Sequence, residues 1–380
     1  MPRPVSAVVT GFTKNPELAA LSLAPLRALK QKGVLRRILA VTWDSPEIDA
    51  FVAPIASMND VELIRVPQPK AQGGRYQAGV IYQLRNLEEA LAHVPEPDAL
   101  VLKTRPDFVI DQRLLESKIA NFETLCAPSK LHKQLGVKMP SSPFAMKIWI
   151  PWGDANTPFF YEDATFLGLK RDLVLLADRE AEDRLEVLAD PRCGWFAHIV
   201  RFALPFLDTY PMFETYLQNY RYIVNDIKYR NRLIGALVQD PFFINLIIVH
   251  AWILATSFHV DSGEPGQISF YANISNPDAD WSDVKSLKIN PPYDNLAMWR
   301  AGEKPGGITP CILRIYGRLV DDAWQTSLFA GPLRDFSPQK IQDALRQVPL
   351  YRRGAYAHAE AEFERKLKAL YRQHWEQRAA

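Results

Sequence analysis

The sequence predicts an α/β protein with a mostly parallel sheet, helices on both faces, and a helix-rich C-terminal half. Three observations predict it. Over the first 110 residues, short β-branched runs alternate with longer segments whose leucines recur at helical spacing. Strands separated by helices of that length pair in parallel and are buried on both faces. From Leu173 to about Val260 helical periodicity takes over, broken at Pro191, Pro205, Pro211 and Pro241.

Each element has its own signal. Val5–Phe12 (VSAVVTGF) reads as a buried first strand ending at Gly11. Asn15–Gly33 carries Leu18, Leu21, Leu26 and Leu29 at helical spacing and stops at Gly33. Arg37–Trp43 is a second strand, closed by the turn residues Asp44, Ser45 and Pro46, and Val61–Val66 is a third, closed by Pro67 and Pro69. A helix over Arg75–Val94 aligns Val80, Leu84, Leu87, Leu91 and Val94, and Asp98–Phe108 supplies a fourth strand. Beyond these, Phe144–Ile150 is strand-like, Phe159–Leu169 is apolar and aromatic, and residues 261–310 are loop-rich in Pro, Gly, Asn and Asp. Ser337 and Pro338 form a helix start, and a last helix over Gly354–Arg378 carries a stripe of Tyr356, Phe363, Leu367, Leu370 and His374.

Composition narrows the function classes. With 380 residues, 48% hydrophobic and 23% charged, the chain is neither disordered nor fibrous. A net charge of +2 gives no pull toward nucleic acid. Cys126, Cys193 and Cys311 are too far apart for a disulfide framework or a cysteine zinc site. The opening MPRPVSAVVTGF is too short an apolar run for a secretory signal, so a reduced, cytoplasmic setting is expected. Pro241–Val260 contains no Asp, Glu, Lys or Arg and has the length of a bilayer crossing. Its interruptions at Asn245, His250, Thr256, Ser257 and His259 favour a buried core helix. No HExxH, paired-histidine or GxSxG pattern occurs.

Ligands of an open parallel sheet bind beyond the carboxyl ends of its strands. Thr10–Thr13 after the first strand and Asp44 after the second are therefore candidates, with Thr10 and Asp44 placed to hold a base or ribose. Asp44 reads equally well as a turn residue before Ser45-Pro46. Gly73-Gly74 before a helix start, with Arg75, is a candidate phosphate contact or a plain hinge. In LVLKTRPDF, a strand would project Lys103, Arg105 and Asp107 to one side, as a diphosphate site with Asp107 on a metal or sugar hydroxyl, or as a surface ion-pair ladder. Glu162 and Asp163 stand together among aromatics, one of them a candidate general base, or else an acid at a strand end or helix cap.

These residues carry a resemblance. Arg75 and Gln77 at a helix start, the run Lys103, Arg105, Asp107, Phe108, and the segment Glu162, Asp163, Phe166, Leu167, Gly168 resemble bacterial surface-polysaccharide glycosyltransferases, in particular the WavE-type lipopolysaccharide-synthesis proteins. The similarity spans roughly the first 170 residues. It implies a GT-A-like fold and transfer of a sugar from a nucleotide-sugar donor to a glycan or lipid-linked acceptor. Thr10, Gly11, Asp44, Arg75, Lys103 and Arg105 would contact the donor, with Asp107, Glu162 and Asp163 as catalytic candidates. That fold normally pairs two acids in a D-x-D motif around a divalent cation (Mn or Mg). Here Arg105 stands where the first acid belongs, so Asp107 is the one metal candidate and the cation's role is in question.

The implied organisation is a donor-binding core over 1–172, a helical and loop-rich acceptor region over 173–310, and C-terminal helices over 311–380. Residues 351–380 carry seven basic residues against four glutamates, interleaved with aromatics. That helix either docks on its own domain or makes a peripheral contact with the inner membrane. Alternative functions are another nucleotide-dependent transferase, nucleotidyl- or phosphotransferase, and a non-catalytic sugar-binding scaffold.

Overall fold

The computed structural model describes residues 3–11, 16–68, 75–130, 133, 139–151, 159, 161, 164–177, 202–219, 222, 236–237, 240–260, 268–270 and 357–379. The expected helix start at Ser337-Pro338 and the bulk of the 261–310 segment lie outside these residues.

The first strands and helices form where periodicity predicts. Strand β1 is Val5–Thr10, β2 Arg37–Asp44, β3 Glu62–Pro67 and β4 Leu100–Thr104. Helix α1 covers Pro16–Gln31, and α3 covers Arg75–Ala92. After α1, Gly33 takes φ +74°, which lets Val34 N–H reach back to Leu29 O at 2.9 Å and end the helix. Between β2 and β3 lies a short helix, α2 (Asp49–Ala56), which the sequence pattern did not reveal. Its eight residues include Pro54 and are too few to show a helical period.

With β6 at Ile148–Ile150, β7 at Phe166–Leu169 and β8 at Phe258–Val260, the main sheet has the order β3-β2-β1-β4-β7-β6-β8, and six of its seven strands run in one direction. Strand β7 (Phe166–Leu169) is the exception, lying antiparallel to β4 on one side and to β6 (Ile148–Ile150) on the other. The expected strand over Phe144–Ile150 is thus confined to its last three residues, and the apolar stretch Phe159–Leu169 ends in the four residues of β7. The long helix predicted to run to Val260 ends at Ser257 as α8 (Pro241–Ser257). Its last expected residues become β8 (Phe258–Val260), paired in parallel with β6. An aromatic and a β-branched residue at that point complete a sheet edge more readily than another helical turn.

A second, two-stranded sheet pairs β5 (Phe108–Ile110) with β9 (Ile268–Phe270) in antiparallel register. Strand β9 falls in a segment read from sequence as loop. After β5 come α4 (Gln112–Ala120) and α5 (Phe122–Leu125), also unread in the sequence. Asp111 caps α4, its Oδ1 accepting from Arg113 and Leu114 N–H at 2.8 and 3.0 Å. The remaining helices are α6 (Lys170–Val174), α7 (Met212–Gln218) and α9 (Ala357–Ala379).

The sheet is covered on both faces. On one, Ala7, Val9, Leu100 and Leu102 pack with Leu23, Leu26 and Leu29 of α1 and Leu114 and Leu115 of α4. On the other, Val8, Val41 and Val101 pack with Leu84, Leu87 and Leu91 of α3 and with the apolar bulk of α8. Helix α8 is apolar on all sides because it is buried on all the sides that are described, with Phe242, Leu246, Val249, Trp252 and Ile253 inside. Among the described residues no helix is long and apolar enough to cross a membrane.

Asp172 of α6 holds the approach to β6 in place. Its buried carboxylate accepts from Ala145 N–H at 2.7 Å and Met146 N–H at 3.0 Å. Burial raises its pKa above the ordinary carboxyl value, and the two backbone hydrogen bonds only partly offset this. Between the unfolded value of about 3.9 and the raised folded value, the folded chain binds more protons, so stability falls as pH rises across that window. Urea unfolding at several pH values from about 4 upward should show this slope in the wild type and not in Asp172→Ala. That variant should also be destabilised near neutrality by about 2–3 kcal/mol, because it strands two backbone donors. An identical pH slope in both proteins would remove Asp172 as its source.

Candidate active site

The strand order supplies the site. From β1 the chain steps outward through β2 to β3, then returns across the sheet by α3 to β4 on the other side of β1. The order therefore reverses between β1 and β4, and in open α/β sheets the crevice beyond the carboxyl ends at such a point is where ligands bind. Thr10 and Gly11 form one wall of it, and the chain after Thr104 forms the other.

Gly11 takes φ +97° and donates its N–H to Val41 O at 2.9 Å. A Cβ at this position would meet no atom of a described residue within 4 Å, so among those residues the backbone borders open space. Thr10 lies just beneath, 4% exposed, and its Oγ1 has no hydrogen-bond partner among the described residues.

Strand β4 ends earlier than the sequence pattern suggests. Asp98–Phe108 was expected as one strand, but it stops at Thr104 and the chain turns through Arg105–Phe108, closed by Phe108 N–H to Arg105 O at 3.2 Å. Pro106 is the physical reason: it occupies the second position of this turn, where its fixed φ is preferred, and it cannot donate to a ladder. Lys103, Arg105 and Asp107 consequently do not line one side of a strand. Lys103 is fully buried, its ammonium 5.3 Å from the centroid of the Phe166 ring. Arg105 and Asp107 instead meet each other across the turn.

That pair is bidentate. Arg105 Nε donates to Asp107 Oδ1 at 2.9 Å and Nη2 to Oδ2 at 2.5 Å. Asp107 is 5% exposed while the Arg105 side chain is 27% exposed, so a buried carboxylate holds a guanidinium at the lip of the crevice. The Arg105 guanidinium also lies 5.6 Å from the centroid of the Phe108 ring.

Both Asp107 oxygens are thus engaged by a cation. Among the described residues, no group of three His, Cys, Asp or Glu side chains stands together to hold a metal ion. Asp107 is therefore committed to Arg105, with no second acid beside it among the described residues.

The other candidates fall differently. Asp44 is exposed and pairs with Arg65 Nε at 3.3 Å, and Arg65 also reaches Asp49 at 2.5 Å. An exposed network of this kind contributes little to stability. Arg75 is the first residue of α3, and its side chain lies outside the described residues, as do Gly73 and Gly74. Glu162 and Asp163 also lie outside them. Their neighbours do not: Tyr161 is buried with its hydroxyl 3.2 Å from His250 Nδ1, and Ala164 is fully buried. Phe159 has φ +62°, a strained conformation for a bulky residue costing about 1–2 kcal/mol. Its fully buried ring is clamped 4.3 Å from Phe213 and 5.9 Å from Phe206.

Two further candidates, Thr165 and Tyr82, went unread in the sequence. Thr104 Oγ1 and Thr165 Oγ1 lie 3.2 Å apart, both buried, joining the end of β4 to the chain two residues past Asp163. A hydroxyl at the end of an apolar strand was the available signal for Thr104; none marked Thr165, whose partner is 61 residues away. Tyr82 of α3 stacks obliquely on Trp43 at 4.8 Å and receives a 3.1 Å hydrogen bond from Gln68 just beyond β3. Chemically, the crevice offers an oriented guanidinium at Arg105 and backbone at Gly11, a combination suited to an anionic ligand, while Tyr82 stands beside the ends of β2 and β3. The chain matches no protein-family model, and a search of the curated proteins gives no match.

Proposed function

We propose that this protein is a glycosyltransferase that moves a sugar from a nucleotide-sugar donor to a glycan or lipid-linked acceptor, in the manner of bacterial surface-polysaccharide synthesis. The observation that carries the reading is the crevice between β1 and β4, bordered by open backbone at Gly11 and by the Arg105–Asp107 pair. The antiparallel β7 beside β4 also supports it, since a purely doubly wound nucleotide-binding sheet continues parallel at that position. In this reading the donor diphosphate lies against Arg105, whose orientation Asp107 sets. Stabilising charge on the departing nucleotide is the main electrostatic task of the reaction. Glu162 or Asp163 deprotonates the acceptor hydroxyl, and the GT-A-like core works in the cytoplasm. Arg372 and Trp375, on the exposed side of α9, support a peripheral contact with the anionic inner leaflet.

Thermal shifts with UDP-, GDP-, CMP- and dTDP-sugars, each with EDTA or with Mn²⁺ or Mg²⁺, test the reading. One donor should stabilise the protein, and part of that stabilisation should persist in EDTA because Arg105 supplies positive charge. Stabilisation by ATP alone would favour a nucleotidyl- or phosphotransferase. No response to any nucleotide would defeat the donor site.

Gly11→Ala gives a sharper result. Positive φ makes alanine strained there by about 1–2 kcal/mol, yet the new methyl has room and the fold persists. The methyl enters the space assigned to the donor, so donor affinity should fall about tenfold or more, read by titration calorimetry. Unchanged affinity would place the donor elsewhere.

A further inference from the structure

At the opposite end of the sheet lies a second concavity. Strand β6 runs parallel to β4, so Lys147, which immediately precedes Ile148, sits at the amino-terminal edge, away from the crevice beyond β1 and β4. There Lys147 borders a cavity of about 200 Å³ together with Ser129, Ser141, Ser142, Trp252 and Thr256.

The chemistry of this lining is one-sided. Lys147 is its one charged residue among those described, and it makes no ion pair or side-chain hydrogen bond with a described residue. The titrating group that acts on it is Cys126, whose backbone carbonyl also accepts the Lys147 N–H at 2.8 Å. Burial pushes the Cys126 thiol up to about 12, so it is neutral and offers no counter-charge. Burial also lowers the Lys147 pKa, which is the signature of an ammonium short of compensating charge.

Hydroxyls complete the lining. Ser142 Oγ accepts from Phe144 N–H at 3.1 Å, which leaves its own proton to donate. Ser141 is exposed at the rim and its hydroxyl likewise has a proton to give. Thr256 donates to Trp252 O at 2.8 Å and presents only an acceptor. A planar carboxylate is best matched by an arginine fork, whereas a lysine point charge with scattered hydroxyl donors suits a tetrahedral oxyanion.

We infer that this cavity is a binding site for a phosphate group, either free phosphate or that of a small monoester, with Lys147 as its cation and Ser141 and Ser142 as hydrogen-bond donors. A volume of about 200 Å³ admits phosphate with a small substituent and is too small for a nucleotide. The site is separate from the donor crevice and does not rest on the proposed transferase reaction.

Titration of the full-length protein with inorganic phosphate, glycerol 3-phosphate and, as a control, acetate tests this, with binding followed by calorimetry and thermal shift. Inorganic phosphate or the monoester should bind and acetate should not. Whichever of the two binds more tightly identifies the source. Lys147→Met should weaken phosphate binding at least tenfold while leaving stabilisation by nucleotide sugars as in the wild type. No binding by the wild type, or equal binding by Lys147→Met, overturns the inference. If Lys147→Met does not fold, Ser141→Ala, altered only at an exposed side chain, is read in its place: several-fold weaker phosphate binding supports the site and unchanged binding overturns it.

Discussion

Asp107→Asn should lower sugar transfer by about 100-fold or more while the protein remains folded. The carboxylate engages Arg105 through two parallel hydrogen bonds, at 2.9 and 2.5 Å, and is itself almost wholly buried. An asparagine keeps one acceptor and loses the charge, so the guanidinium is no longer held in a single orientation at the crevice. The cost to stability is about 1–3 kcal/mol, the range for a hydrogen bond to a charged group. That is too small to unfold a domain with a two-sided core. Asp107 acts here as a positioning residue, and the kinetics should say so. Donor KM should rise and kcat fall together in Asp107→Asn, and Asp107→Glu should recover part of both. Arg105→Lys should not recover activity, because a lysine cannot reproduce the bidentate geometry. Full transfer by Asp107→Asn would remove the pair from the site.

Phe363→Ala should destabilise the protein by about 3–5 kcal/mol, the largest effect expected of any single substitution outside the crevice. Helix α9 is highly charged, yet its Phe363 and Leu367 are fully buried. The Phe363 ring lies 4.7 Å from that of Phe242 and 6.3 Å from that of Phe243, at the start of α8. Asp240 locks the same junction. Its Oδ1 caps α8 by accepting from Phe242 and Phe243 N–H at 3.0 and 3.2 Å, and its Oδ2 accepts from Lys366 at 2.7 Å. One buried carboxylate thus closes α8 and ties down α9. Arg365→Ala, by contrast, removes only a surface pair with Glu362 and should leave the denaturation midpoint unchanged. Guanidinium unfolding of the three proteins checks the order. A Phe363→Ala midpoint equal to that of the wild type would mean that α9 is not part of the cooperative core. Because the buried stripe is committed to α8, a membrane contact would have to use the opposite side of α9. Arg372→Ala combined with Trp375→Ala should then reduce co-sedimentation with anionic vesicles and leave stability intact.

Much of this architecture was legible locally. Strands β1 to β4 and helices α1, α3, α8 and α9 follow from the spacing of apolar residues, because a buried face imposes its period on any element that covers it. The stripe through Phe363 and Leu367 was readable for that reason, and both residues are buried as it required. The reading of Pro241–Val260 as a core helix rested on its polar interruptions. His250, fully buried beside Tyr161, and Thr256, bonded back to Trp252, show how a packed interior accommodates them.

What local pattern could not supply was the outcome of distant meetings. Lys103, Arg105 and Asp107 have strand spacing, but Pro106 turns the chain and lets a cation and an anion two residues apart satisfy each other. Short elements such as α2, α4, α5 and β9 carry too few residues to show a period and exist because a neighbour covers them. The direction of β7, the pairing of Thr104 with Thr165 and the cavity beside Lys147 each join segments dozens of residues apart. The sequence by itself determined which faces would be apolar and hence the α/β class, since the hydrophobic effect acts on composition and period alone. Only the tertiary structure decided which charged and hydroxyl groups share a site, because hydrogen bonds and ion pairs depend on distances that the fold sets and no local spacing encodes.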